Sequence, residues 1–234
     1  MNDFITIEGV TKGFGKRYAL RDVSFTVRLG EVLGLIGPNG AGKTTLFECL
    51  AGLLPVDAGT LKSGVKIVPP SGRKDILFYL PDAIVPWANQ TVNWALEFFE
   101  ELYGASKTTV SELRQPLRLH DIWKSRIGSL SKGERKRTLL ALGLLTPHPL
   151  LLLDEPFDGL DLRQARDVMA LLRNHAANRT LMLSIHQLID AGRVCDRLVL
   201  LSAGEVAGEG TISELRTKAN LPDGGVEEIF LALT

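Results

Sequence analysis

The chain has 234 residues, enough to bury a substantial core as one unit or one unit with an inserted lobe. Apolar residues make up 45% and charged residues 23%, and apolar runs such as residues 138–145 are far too short for a bilayer span, which argues against a chain that crosses the membrane. Lys plus Arg balance Asp plus Glu at 27 each, and this neutrality removes the main sequence-independent attraction for nucleic acid or anionic lipid.

At the N-terminus, Met1-Asn2-Asp3-Phe4 shows no basic segment followed by an apolar one, so no secretory leader is expected. Residues 4–8 and 23–27 alternate apolar and polar side chains, as half-buried antiparallel strands do. Residues 32–36 are continuously apolar instead, which predicts a strand covered on both faces, and a helix over residues 44–51 follows directly. Residues 81–145 read as mostly helical. There Trp94, Phe98 and Leu102 share one helix face, a stripe expected to pack in the core and, secondarily, to dock a partner helix. The basic run from Lys132 to Arg137 predicts a solvated helix face, with steering of a phosphate ligand as the alternative.

Further apolar runs at residues 150–153, 181–185 and 198–201, separated by helical stretches such as residues 162–176, give the rhythm of a parallel sheet with crossover helices. Ala203-Gly204-Glu205 predicts a hairpin turn, residues 208–210 a loop, and residues 226–233 a closing helix. The two cysteines, Cys49 and Cys195, suit a reduced, cytoplasmic setting.

Gly37-Pro38-Asn39-Gly40-Ala41-Gly42-Lys43-Thr44 satisfies G-x-x-x-x-G-K-[ST] between a buried strand and a helix. In such a loop backbone N–H groups surround phosphate oxygens, the helix N-terminus adds partial positive charge, Lys43 reaches the terminal phosphates and Thr44 can ligate Mg²⁺. Thr45 is suited either to a phosphate contact or to helix propagation. Asp154 and Glu155 end an apolar strand at the sheet edge where open α/β folds bind ligands. Asp154 is placed to hold Mg²⁺, directly or through water, and Glu155 to take a proton from an attacking water. His186, at the end of the 181–185 strand, either orients a γ-phosphate or is an ordinary strand-end residue. Ser131 with Glu134 fits a capping box at a helix start.

The order phosphate loop, Leu130-Ser131-Lys132-Gly133-Glu134, then Asp154-Glu155 resembles the ABC transporter nucleotide-binding subunits across essentially the whole chain. That resemblance implies an α/β P-loop NTPase of ABC type: a mainly parallel core sheet with an N-terminal antiparallel β subdomain (residues 1–80 with 146–234) and an inserted helical subdomain (residues 81–145). Two subunits would clamp two ATP molecules head to tail, each γ-phosphate meeting Ser131 and Gly133 of the neighbouring subunit. Tyr18, within Tyr18-Ala19-Leu20, resembles the adenine-stacking aromatic; such stacking contributes about 1–3 kcal/mol in nucleic-acid complexes. Phe157-Asp158-Gly159-Leu160-Asp161 is similar to the loop that joins the two subunits.

Phe78-Tyr79-Leu80-Pro81-Asp82, residues 91–104 and the ending Glu227 to Thr234 resemble exporter-type ATPases serving separate ABC-2-like membrane subunits. The implied partners are polytopic membrane subunits and a second ATPase subunit, identical or related, with the chain peripheral on the cytoplasmic face. Two departures stand out. Asp82 occupies the place of a glutamine that touches Mg²⁺, where a carboxylate can still ligate but is shorter and adds charge; Lys132 and Glu134 replace a glycine and a glutamine. A nucleotide-gated subunit with weak hydrolysis is the alternative. Chromosome-maintenance and translation-type relatives are disfavoured by the lack of a long coiled-coil insertion and by the single set of motifs.

Overall fold

The computed structural model of the chain describes residues 3–104, 108–186 and 188–234, and the side chains of all but residues 188 and 189 among them. Met1 and Asn2, used in the leader argument, lie outside that set.

The strand that precedes the glycine loop, β3 (Val32–Ile36), is buried at every position. It runs parallel between two other apolar strands, with Val32 opposite Leu181, Ile36 opposite Ile185, and Leu35 opposite Val199. These belong to a six-stranded sheet in the order β10-β9-β3-β8-β7-β6, formed by β6 (Leu77–Leu80), β7 (Leu150–Asp154), β8 (Thr180–Ile185), β9 (Arg197–Ser202) and β10 (Glu205–Gly210). All its pairings are parallel except that of β10 with β9. A second, antiparallel sheet contains β1 (Asp3–Phe14), β2 (Arg17–Arg28), β4 (Ala58–Ser63) and β5 (Lys66–Ile67) in the order β2-β1-β4-β5.

Strand periodicity divides the core in two. Leu33, Leu35, Leu150, Leu152, Met182 and Val199 face the antiparallel sheet and α1 (Lys43–Ala51). Their alternate neighbours Ile36, Leu151, Leu153, Leu181, Leu183 and Leu200 face the helices α2 (Val92–Leu102), α4 (Lys132–Leu145) and α5 (Leu162–Ala176). Opposite faces of one strand thus serve two layers, which is why these segments read as continuous apolar runs. Between β6 and β7 the chain forms α2, α3 (Val110–Arg114), short single-turn segments and α4. The chain ends with α6 (Leu188–Val194), α7 (Ile212–Lys218) and α8 (Val226–Leu233). Among the described residues no helix is long and apolar enough to cross a membrane.

Three expectations require correction. The stripe of Trp94, Phe98 and Leu102 lies at the surface, with Phe98 40% exposed; α2 buries Val92, Ala95, Leu96 and Phe99 instead. Both faces of α2 carry apolar residues at helical spacing, and packing on α4 selects the one with smaller residues. Trp94 and Phe98 stack on one another at 5.3 Å, with Trp87 edge-on to both. The basic run is a solvated face only in part: Lys132 is exposed, but Lys136 and Arg137 are buried, Lys136 at 3% exposure, because each finds oxygen partners within the fold. Residues 208–210 continue β10 rather than forming a loop, with a register shift between Val206 and Gly208 where Leu215 and Leu233 close over the strand.

Candidate functional site

The loop between β3 and α1 takes its shape from its glycines. Gly42 has φ of 107°, and a Cβ there would meet the Ala19 carbonyl oxygen at 2.5 Å, so both its conformation and its packing require glycine. Gly204 N–H donates to the Ala41 carbonyl and Arg21 N–H to the Gly204 carbonyl, which ties the loop to the hairpin and to β2. Inside the loop Lys43 is buried, and its Nζ donates to the Gly37 carbonyl at 2.7 Å and the Pro38 carbonyl at 3.3 Å.

Strand β7 brings its terminal acids to the same place. Thr44 Oγ1 donates to Asp154 Oδ2 at 2.9 Å, and Tyr79 Oη approaches that oxygen at 3.4 Å. Ser184 Oγ donates to Asp154 Oδ1 at 2.5 Å while accepting the Glu155 N–H at 2.9 Å. Burial, then the negative charge of Asp154, push the Tyr79 phenol above its usual range, so it remains a donor at neutral pH. Glu155 adopts a left-handed backbone conformation, φ 48°, which is uncommon outside glycine and concentrates at functional sites. Its carboxylate has two partners: Oε2 with His186 Nδ1 at 2.6 Å, and Oε1 with Lys43 Nζ at 3.6 Å.

Around these groups lies a cavity of about 300 Å³ lined by Ala19, Asn39, Gly40, Gly42, Lys43, Thr44, Thr45, Asp82, Asp154 and Glu155. Its mouth carries backbone N–H groups at a helix start, a setting for phosphate, and its wall carries a hydroxyl with two aspartates. Those are hard oxygen donors of the kind Mg²⁺ takes together with phosphate and water. Asp82 is held by Lys136, which also donates to the Asp154 carbonyl at 3.2 Å. Two aspartates and one hydroxyl leave most of an octahedral shell to phosphate and water, which suits Mg²⁺.

Several sequence candidates sit elsewhere. Tyr18 is 56% exposed on β2, with the Arg21 guanidinium 5.8 Å from its ring, and does not line this cavity. Ser131 and Gly133 line a separate cavity of about 460 Å³ with Lys132, Glu134, Arg137 and Asp161. Ser131 caps α4, and Glu134 returns a bond to the Ser131 N–H at 2.8 Å. The Ser131 hydroxyl, donating at 2.7 Å, and then the Ser131 N–H hold the Glu134 carboxyl below its usual range. A Cβ on Gly133 would meet the Gly159 carbonyl oxygen at 2.5 Å, so the turn and residues 157–161 are packed together. An ion pair between Lys132 and Asp158 clasps the same two segments.

Ser184, Tyr79 and Lys136 were missed as site residues. Ser184 is a single polar residue inside an apolar strand, which is a readable signal; Tyr79 and Lys136 acquire their partners only through the fold.

A P-loop nucleotide-binding domain is the class of protein these features define. The chain belongs to the ABC transporter family, as an ATP-binding subunit: the sequence profile of that family, described as ABC transporter, matches residues 20–158. It is 31% identical to the ABC-type transporter ATP-binding protein EcsA of Bacillus subtilis over 98% of this chain and 96% of that protein. It is 35% identical to the doxorubicin resistance ATP-binding protein DrrA of Mycobacterium tuberculosis over 92% of this chain and 68% of that protein. Its fold matches a solved ATP-binding subunit of an ABC transporter with a TM-score of 0.88, at 28% identity, over 98% of this chain and 99% of the other. ATP-binding domains of this family are generally ATPases, and the α/β fold with its antiparallel and parallel sheets is the one they share.

Proposed function

We propose that this subunit binds Mg-ATP in the loop of residues 37–45, pairs head to tail with a second ATPase subunit, identical or related, and hydrolyses ATP to drive export through a separate polytopic membrane subunit. One observation carries the reading: Glu155, in a strained backbone conformation, is held between His186 and Lys43 at the rim of a cavity built from a glycine-rich loop.

Each residue then has a task. Backbone N–H groups of residues 39–45 bind the phosphates, and the Lys43 ammonium exchanges the Gly37 and Pro38 carbonyls for phosphate oxygens. Thr44, Asp154 and Asp82 would hold Mg²⁺, which supplies neutralisation of charge on the phosphates. Glu155 takes a proton from the attacking water as the bond between the γ-phosphorus and the bridging oxygen of ADP breaks. His186 orients that carboxylate through Nδ1 and is placed to contact the γ-phosphate. Tyr18 offers a ring to adenine, and Ser131 with Gly133 offers N–H and hydroxyl groups to the γ-phosphate of the neighbouring subunit. Residues 1–80 with 146–234 form the catalytic lobe, and residues 81–145 form the helical lobe that meets the membrane subunit on the cytoplasmic face. The name of another relative, the Nod factor export ATP-binding protein I of Burkholderia lata, 36% identical over 88% of this chain, favours this direction of transport.

Glu155→Gln is expected to lower ATP turnover by about 10²–10⁴-fold, the scale of general acid–base catalysis, while ATP still binds. Turnover within about threefold of wild type, on that scale, would remove Glu155 from the base role.

A second reading, nucleotide-driven association with weak hydrolysis, is favoured by the engagement of Asp82 with Lys136 and of Lys132 with Asp158. Turnover measured in the assembled complex separates the two.

A further inference from the structure

At the opposite end of the parallel sheet from the nucleotide cavity lies a larger one, about 500 Å³, lined among others by Thr108, Glu112, His148, His175, Asn178 and Arg179. His148 immediately precedes the Pro149 that leads into β7, and Arg179 immediately precedes β8, whereas Asp154 and Glu155 lie at the other end of those strands. Five residues of strand separate the two ends, about 16 Å.

The chemistry of this cavity is unbalanced. Arg179 is 8% exposed and makes no hydrogen bond or ion pair among the described residues, and its Nη1 is shut off from solvent without a partner. The second unpartnered buried nitrogen in the same lining is His148 Nδ1; its Nε2 is engaged with the Lys74 carbonyl at 2.9 Å. Burial of a guanidinium without a compensating acceptor is costly, and the other buried cations among the described residues have oxygen partners: Arg197 with Glu31 and Glu209, Lys136 with Asp82, and Arg73 and Arg137 with backbone carbonyls. Burial, reinforced for both by the nearby Arg179 charge, lowers the proton affinity of His148 and of His175. Among the described residues of this lining Arg179 is the one fixed cation and Glu112 the one carboxylate, and Glu112 accepts the Thr109 N–H at 2.9 Å.

We propose that this cavity is a binding site for a small oxyanion-bearing molecule, a phosphoryl or carboxylate compound, whose oxygens engage Arg179 with Asn178 at the wall. Its volume falls within the usual range for small-molecule sites, and a planar guanidinium is suited to bidentate recognition of either group. The site is separate from the nucleotide cavity in residues and in position.

The test uses the full chain with ATP-site saturation by ADP and Mg²⁺, its histidine imidazoles observed by NMR while inorganic phosphate or citrate is added at constant ionic strength. His148 and His175 report the cavity, His186 the nucleotide site, and exposed His120 serves as bystander. Saturable shifts at His148 and His175, without any at His120, are expected with at least one probe, and the tighter probe distinguishes a phosphoryl from a carboxylate ligand. Arg179→Gln, checked for folding by unchanged ATP binding, should weaken that binding by about tenfold or more, the scale of one charge-assisted hydrogen bond. Should that variant fail to fold, Asn178→Asp, at an exposed position, places a carboxylate at the wall and should weaken binding by about tenfold through like-charge repulsion. Absence of shifts with both probes, or equal binding by wild type and the folded variant, overturns the proposal.

Discussion

Ser184→Ala tests the way this site is held. Among the described residues the fully buried Ser184 hydroxyl is the one side-chain group that bonds both Asp154 and Glu155, donating to Asp154 Oδ1 at 2.5 Å and accepting the Glu155 N–H at 2.9 Å. A hydrogen bond to an ionised carboxylate contributes about 1.5–3 kcal/mol and a neutral one about 0.5–1.5 kcal/mol, so losing both at a buried position should cost about 2–4 kcal/mol. Alanine leaves a void too small to hold a replacement water with a full set of partners, so little of that loss is recovered. For a chain of this size the cost corresponds to a fall in Tm of roughly 4–16 °C. Urea unfolding, analysed at unchanged m, measures it directly. Turnover should fall as well, because the left-handed conformation of Glu155 loses the bond that fixes its N–H. A stability change under about 0.5 kcal/mol, the scale of an ordinary surface substitution, would refute the view that Ser184 anchors the acid pair.

Two further expectations concern packing and charge. Phe99→Ala should destabilise the isolated chain by about 3–5 kcal/mol, whereas Phe98→Ala, one residue away on the exposed face, should cost about 1 kcal/mol or less; chemical denaturation of the two variants side by side checks this, and equal losses would contradict the placement of the buried face. Lys132 holds the Asp158 carboxyl below its usual range, and the same bond raises the Lys132 ammonium. The pair therefore contributes fully between the unfolded-state values, about 3.9 and 10.4, and is lost as pH falls through the lowered Asp158 value or rises through the raised Lys132 value. With Lys132 half exposed, Asp158→Asn should cost no more than about 1 kcal/mol near pH 7, and the difference from wild type should vanish in strong acid; a difference that persists there would assign the effect to something other than charge.

The parts of this protein legible from sequence are those whose signal is local. The glycine loop, the apolar strands and the cap at Ser131 are set by residues within a few positions of one another, and the elements appear where those signals stand. What was not legible depends on partners distant along the chain. Lys136 is buried because Asp82, 54 positions away, faces it. The outward turn of Trp94 and Phe98 was hidden by a helix with two apolar faces, between which only α4 decides. Residues 208–210 read as loop by their glycines, whereas at Gly208 the small size is the room required by Leu215 and Leu233. The site shows the same division: Lys43, Thr44, Asp154 and Glu155 stand out by motif, while Tyr79 and Lys136, which bond to Asp154, are identified only by the contacts of the folded chain.

The most direct measurement is isolation of the tagged chain from detergent-solubilised native membranes, with the co-purifying chains identified by mass spectrometry. A polytopic membrane protein recovered at near-stoichiometric yield is the expected result, and reproducible recovery of only soluble or nucleic-acid-associated partners would contradict the proposal that this ATPase drives a membrane subunit.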